Sequence, residues 1–540
     1  MNSLAGLLPV IVFLAIALAI AVVARRRGER ASSGGFIAEY FIGSRSLGPF
    51  VLAMTTIATY GSVSSFVGGP GQAWNVGFSW VYMAAVQVTA LFLLYGIMGK
   101  KMALVSRKLG AVTVVDVIRA RYHSNLLANL SALIIVVFFS ATMVAQFVGG
   151  AKLFSAVTGY SYVAGLLIFG GAVVVFTTIG GFRGVAFTDA LCGIAMLVGI
   201  VVLAAGILTA GGGYTAIMDT IQANHPEMME PFADGKMPLS LYFTQWLLVG
   251  IFTFCLPQSV VRCMGYKDTR ALRHAMTSGT VIIGAMMIGV TALGTLSAGV
   301  LTGDLAEYGG SVDNIIPQTI IRCLPTWLAG IAIVGPIAAS ISTVSSLLIA
   351  SSSAFIKDLW MHRAQQMGRS IPDTTLARAS QCITLALGAI VFVLAIVPPD
   401  VIWKINMFAF GGLETAFCWV LLGALFWRRA TKQGALASMI GGTLAYCVCM
   451  AAGFKVAGLH QIVIGLSVAF VLMVGVSLLT SSRARAHENT LQRTTSHTVP
   501  RKIPDKRSDT ASAQASGTKP TQVPDSVQEI FFPDKPAVLR

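Results

Sequence analysis

The sequence predicts an all-α polytopic membrane protein of about 13 transmembrane helices. Three observations lead there. Of 540 residues, 55% are hydrophobic and only 11% charged, against roughly 25% charged in soluble domains. Apolar runs long enough to cross a hydrocarbon core recur through residue 480. Two of these runs are broken by Gly, Pro and hydroxyl residues; they lie five spans apart with opposite orientation, the pattern of a ten-helix core made of two inverted five-helix repeats.

The expected spans are 4–24, 47–70, 79–99, 127–150, 160–180, 187–209, 241–262, 277–302, 326–355, 378–398, 401–427, 435–453 and 460–480. No positive charge precedes the first, and RRRGER follows it at 25–30. It therefore reads as an uncleaved span with the N-terminus outside. Basic residues then gather in alternate loops, such as Lys100 and Lys101, Arg270 and Arg273, and Arg428 and Arg429. The opposite loops hold only Lys152, Lys236, Arg322, Lys404 and Lys455, which puts the C-terminus inside. The net charge of +16 is thus a topology signal rather than a nucleic-acid surface. Residues 1–480 form the transmembrane domain, and the Ser/Thr/Pro/Lys/Arg-rich 481–540 reads as a disordered basic cytoplasmic tail.

The eight cysteines lie mostly within or near spans with no CxxC pair, and the seven histidines are scattered without HExxH. With no Walker loop or GxSxG either, the chain reads as a non-enzyme without a resident cofactor. A channel would be lined along its length, not broken twice at one depth. A non-transporting solute sensor would need an output domain larger than this polar tail.

The first break is IATYGSVSSFVGGPG at 57–71, with four glycines and four Ser or Thr residues in fifteen. Such interruptions are tolerated where backbone is buried in protein or lines a cavity. The second is GIFTFCLPQSVVRC at 250–263, where Pro257 removes a backbone donor and Gln258 follows. A third polar span, GPIAASISTVSSLLIASSSAF at 335–355, carries Ser342 and Thr343. With the carbonyl of Ala339 one turn earlier, these present three oxygens to one point, and carbonyls freed near Ala58 and Gly61 complete a shell for a small hard cation. A Ser/Thr-rich helix alone also serves as a packing face; the break in the second span is what favours the ligand reading. Candidate solute contacts are Tyr60, Ser62, Gln87, Gln146, Thr253 and Gln258, polar residues at the breaks or at mid-span. Glu414, costly in a bilayer, is expected to have a structural or gating role.

EYFIGSRSLGPFVLAM at 39–54, TIGGFRGVAFTDA at 178–190, AASIST at 338–343 and RRATKQGALASMIGG at 428–442 resemble the sodium:solute symporter family, over roughly residues 5–480. The resemblance implies a leucine-transporter-like fold, with spans two to eleven as the core, one helix before and two after. It implies a cell-membrane protein with sodium as coupling ion. The ion's ligands are then the carbonyls of Ala58, Gly61 and Ala339 and the hydroxyls of Ser342 and Thr343, and Asp189 lies on the sodium exit path.

ATYGSVSSFVGGPG at 58–71, GKK at 99–101, AQFVGGAKL at 145–153, VRCMGYKD at 261–268, IKDLW at 356–360 and INMFAFGGLE at 405–414 are similar to the pantothenate-carrying branch of that family. This implies sodium-coupled uptake of pantothenate by alternating access; another small solute, such as a monocarboxylate or amino acid, is the alternative. The chain departs from the branch at Gln258, where a histidine stands, and at Leu348, where a glutamine stands. Tyr60 replaces the aspartate of the proline-carrying members, which suits an anionic solute.

Overall fold

A computed structural model describes residues 4–31, 54–55, 57–58, 60–265, 268–369, 371–496 and 530–532. Twelve helices among these residues are long and apolar enough to cross a membrane. They are α1 (Leu4–Ala31), α3 (Phe78–Leu109), α4 (Asn125–Thr158), α5 (Tyr162–Gly181), α6 (Gly184–Ala210), α7 (Leu239–Gly265), α8 (Thr269–Ser297), α9 (Thr326–Gln366), α10 (Asp373–Ala395), α11 (Ile402–Phe426), α12 (Lys432–Ala451) and α13 (Ile462–Ser496). The remaining expected span, 47–70, falls partly outside the described residues. Its described part is not one helix: residues 61 and 62 are non-helical, a π-helical turn covers Ser64–Gly68, and α2 (Gly69–Val76) follows.

Local chemistry fixes several ends. Thr113 and Asp116 form a reciprocal capping box on the short inner helix Val114–Tyr122. Asp268 and Thr431 accept from the third backbone N–H of α8 and α12. Gly181, at φ 56° and ψ −165°, makes the turn between α5 and α6 in a conformation that needs glycine.

Burial ranks the helices. In the most apolar stretch, 89% of α9 and 78% of α11 is buried, against 28% of α1. Accordingly α9 stands at the centre, packed on α1, α4, α5–α6 and α10. Helices α2, α3, α7 and α8 pack together as one group, and α4, α5, α9 and α10 as another. Each group takes the same members from both five-helix units, as the inverted-repeat reading expects. Helices α12 and α13 pair with each other and lie on α11.

The two ends of the bundle are tied by charge. At the end that the loop charges assign to the outside, here the outer end, Lys152 pairs with buried Asp313 at 2.9 Å, and Asp313 also accepts the Ile402 N–H at 3.2 Å. At the inner end Asp116 pairs with Lys357, and Arg121 reaches the carbonyls of Trp427, Arg428 and Ala430 at 3.3, 3.2 and 3.4 Å. Burial would raise the Asp116 carboxyl, but the Lys357 ammonium and the N–H groups of Val112 and Thr113 outweigh it and hold the pKa below its ordinary value. The stretch expected to be a solvated tail is docked at one point: Phe531 is fully buried at this inner end.

Gly71 approaches another segment closely enough to exclude a side chain, since a Cβ there would lie 2.1 Å from the Val312 carbonyl oxygen. Gly71→Ala is expected to lower the stability of the outer end by about 1–3 kcal/mol. Thermal unfolding in detergent reads this; an unchanged midpoint would show that the Val312 turn yields freely.

Candidate functional site

The break in the second span creates the site. Gly61 still donates to the Ile57 carbonyl at 2.9 Å, but beyond it the helical ladder stops. The N–H groups of Ser65 and Phe66 both turn to the Ser62 carbonyl, at 2.9 and 3.0 Å. Partners for the stranded groups come from α9 and α4. Ser342 Oγ lies 2.9 Å from the Ala58 carbonyl and 3.1 Å from that of Ala339. Thr343 Oγ1 lies 3.3 Å from the Gly61 carbonyl and 3.0 Å from that of Ala339. All five oxygens expected to act together are therefore brought together, and they are buried. The set is neutral and made only of hard oxygens, which suits a small monovalent cation.

Gln146 holds the break through its oxygen atoms. Its Oε1 accepts the stranded Val63 N–H at 2.9 Å, and its carbonyl accepts from Ser340 at 2.8 Å. It is fully buried and does not line the neighbouring cavity. The Val63 N–H claims only the amide oxygen; Gln146 Nε2 is buried without a partner.

That cavity is lined by Tyr60, Ser62, Gln87, Thr253 and Gln258, the other expected contacts, and by Thr343. Thr343 thus belongs to both the oxygen cluster and the cavity wall. The second break supplies Gln258: Leu256 is extended at φ −62° and ψ 125°, and Pro257 opens the last helical stretch of α7, Pro257–Gly265. Sequence reasoning missed Trp403, Asn406 and Phe410 on α11, which form the opposite wall. The signal for Asn406 was an amide within the apolar run INMFAF. Gln258 Oε1, Asn406 Oδ1 and Trp403 Nε1 are buried without hydrogen-bond partners. The Tyr60 hydroxyl faces Thr253 and Ser259 without a well-formed hydrogen bond. Such atoms facing a cavity are ready for a polar solute. Trp80 and Trp403 meet edge-to-face at 5.5 Å on the cavity wall. No charged side chain lines the cavity among the described residues. Of the two departures noted in the sequence, only Gln258 reaches it; Leu348 is buried and does not line it.

Asp189, itself fully buried, lies in a network that reaches Ser346, one helical turn beyond Ser342 on α9. Its Oδ2 accepts from Thr55 at 2.7 Å and from Arg262 Nη2 at 3.2 Å, while Arg262 also donates to Thr55 and, at 2.8 Å, to Ser346. Ser346 and Gln258 line both the solute cavity and a second, inner cavity walled by Val112–Val115, Arg262 and Asp358. The ion pair therefore stands between the oxygen cluster and the inner end. Glu414 is fully buried on α11 and lines neither cavity.

Residues 40–442 match the profile of the sodium:solute symporter family. The chain is 40% identical over 459 residues to the sodium/pantothenate symporter of Escherichia coli strain K12, covering 85% of this chain and 93% of that one. Identity to the Haemophilus influenzae sodium/pantothenate symporter is 37%, with the same coverage of both chains. In fold it is similar to a Na+-coupled sialic acid symporter solved in a substrate-bound outward-open state, at a TM-score of 0.72 and 18% identity, covering 89% of this chain and 98% of that one.

Gln146→Leu leaves the Val63 N–H buried and unpaired, which is expected to cost about 1–3 kcal/mol of stability. A lowered melting midpoint with unchanged solute affinity is the expected result. Unchanged stability with lost affinity would return Gln146 to the solute site.

Proposed function

The chain belongs to the sodium:solute symporter family and is a multi-pass plasma-membrane protein, and from that premise we propose that it takes up pantothenate together with sodium by alternating access. The observation that carries this reading is that one break serves two sites: the carbonyls of Ala58 and Gly61 face the hydroxyls of Ser342 and Thr343, while Tyr60, Ser62 and Thr343 line the solute cavity.

In this reading sodium is held by the carbonyl oxygens of Ala58, Gly61 and Ala339 and the hydroxyls of Ser342 and Thr343. Two contacts, Ser342 to Ala58 and Thr343 to Gly61, cross from the second span, in one four-helix group, to α9 in the other. An ion there ties the groups together and orders Tyr60 and Ser62, so sodium and solute strengthen each other's binding by the same factor. After inward rocking, sodium leaves past Ser346 towards Asp189, whose hold on Arg262 must loosen.

Pantothenate carries a carboxylate, an amide and two hydroxyls. The unpartnered atoms of Gln258, Asn406 and Trp403, with Gln87, Thr253 and Tyr60, match a solute rich in donors and acceptors. Its carboxylate is met by the positive end of the stretch Pro257–Gly265, which begins at the cavity wall with Gln258 and Ser259. An acidic residue at position 60 would oppose it, and Tyr60 does not. Gln258 favours one alternative, another small monocarboxylate or an amino acid, since it stands at the cavity wall where the pantothenate branch has histidine. Transport moves the solute unchanged, so no cofactor or bond-making group enters. One sodium carried with one carboxylate moves no net charge, so a tenfold sodium gradient, about 1.4 kcal/mol, supports about tenfold accumulation. A plateau far above that requires a second sodium.

Uptake of labelled pantothenate into proteoliposomes tests the proposal, with an inward sodium gradient or with choline in its place, for the native protein and the double variant Ser342→Ala, Thr343→Ala. Sodium-dependent uptake that falls at least tenfold in the variant is expected. No pantothenate uptake, with the protein still stabilised by sodium, discards the solute and keeps the symporter. Indifference to sodium in both assays discards the symporter.

A further inference from the structure

The inner end of the bundle carries a surface that transport alone does not call for. Ile530, Phe531 and Phe532 pack into it, although they lie in the polar tail beyond α13. Phe531 is fully buried. The Phe532 ring is flanked by three cations: Lys101 Nζ at 4.8 Å, and the guanidinium carbons of Arg121 and Arg428 at 5.5 and 5.6 Å from its centroid. Arg428 also donates to the Phe532 carbonyl at 3.0 Å. Gly96, Ile97 and Leu104 on α3 line the slot that takes Ile530 and Phe531. Buried aromatic side chains bring both area and cation–π attraction to such a contact.

We propose that this slot is a docking site for the chain's own segment Ile530–Phe532, and that the docked segment straps the inner mouth shut. The occupant's chemistry matches the slot. In sequence, Glu529 and Asp534 flank three large apolar residues, and Ile530–Phe532 lie among Lys100, Lys101, Lys108, Arg121 and Arg428. The 33 residues between Ser496 and Ile530 can span up to about 110 Å, so reach does not limit docking. Tethering raises the segment's effective concentration to roughly the millimolar range, and even a weak contact is then substantially occupied.

The strapping action follows from what the slot connects. The inner part of α3 packs on Pro257–Gly265 of α7, which forms one wall of the inner cavity through Gln258, Val261 and Arg262. The helix Val114–Tyr122 and α9 form the other wall through Val114, Val115, Ile349 and Asp358. The segment touches Lys101 on the first side and Arg121 and Arg428 on the second. Opening the inner mouth separates these two sides, so the segment must leave or stretch. Release to the cytoplasm is therefore slowed while it is docked.

The test uses the full chain with Phe531→Ala and Phe532→Ala together, and a fluorescent peptide of residues 522–540 as probe. Peptide binding is read by anisotropy on purified protein and needs no transport. The double variant is expected to bind the peptide, while the native chain, its slot filled, binds it several-fold more weakly. Sodium-driven uptake by the variant is expected to rise several-fold in maximal rate with external KM unchanged, and peptide sealed inside the vesicles returns it to the native rate. Equal binding to both proteins, or to neither, overturns the docking site; binding as expected with an unchanged rate overturns the strap. If the double variant does not fold, Arg428→Glu with Arg428→Lys as its rescue control makes the same distinction. Uptake absent from every protein, native included, counts against the transported solute and leaves the peptide result standing.

Discussion

The structure depends on one constraint: the second span stops being a helix in the middle of a bilayer-sized bundle. Backbone groups there cannot turn to water, so each must find a partner within the protein. The carbonyls of Ala58 and Gly61 find hydroxyls on α9, and the Val63 N–H finds the amide of Gln146 on α4. This requirement places a polar face on α9, the helix with the greatest burial in the bundle, where ordinary packing would ask for apolar residues. The polar atoms that tolerate the break are also the atoms that can hold a cation.

The second break repeats the device in the other half of the fold with a different outcome. At Leu256 and Pro257 the interruption brings Gln258 to the cavity, beside Thr253 and Ser259. Both breaks thus reach the same cavity, the first through Tyr60 and Ser62 and the second through Gln258, and the first alone also faces the hydroxyls of α9. Both breaks lie in the α2, α3, α7, α8 group, while α9 lies in the other group. Binding at the first break therefore reports on how the two groups sit, which is the geometric basis for coupling. Further inward, Asp189 and Arg262 form a pair whose separation would leave a buried charge unpaired. A break in such a pair costs several kcal/mol, which makes it a suitable obstacle between the sites and the cytoplasm.

Much of this was legible in the sequence because it breaks the rules of membrane helices. Glycines, a proline and clustered hydroxyls in an apolar run mark a break, and Ser342 and Thr343 one turn beyond Ala339 mark its partner. Gln146 was legible as important but not in its role. A mid-span amide can serve a solute or a backbone group, and only the direction of the side chain separates the two. Asn406 carried a signal, an amide in an apolar run, whereas Trp403 was illegible because an aromatic at a span end reads equally well as a membrane-interface residue. Residues 530–532 were hidden by averaging: the tail's polar composition outweighs three apolar residues, whose burial depends on a slot assembled from α3, the helix Val114–Tyr122 and the α11–α12 turn.

Amide hydrogen exchange at residues 60–66, with and without sodium and with no solute present, tests the central claim most directly. The account predicts that sodium, and not choline, slows exchange at this break and that Ser342→Ala with Thr343→Ala abolishes the effect. Exchange at 60–66 that is indifferent to sodium in the native protein would contradict it, because the break would then not be part of the ion's site.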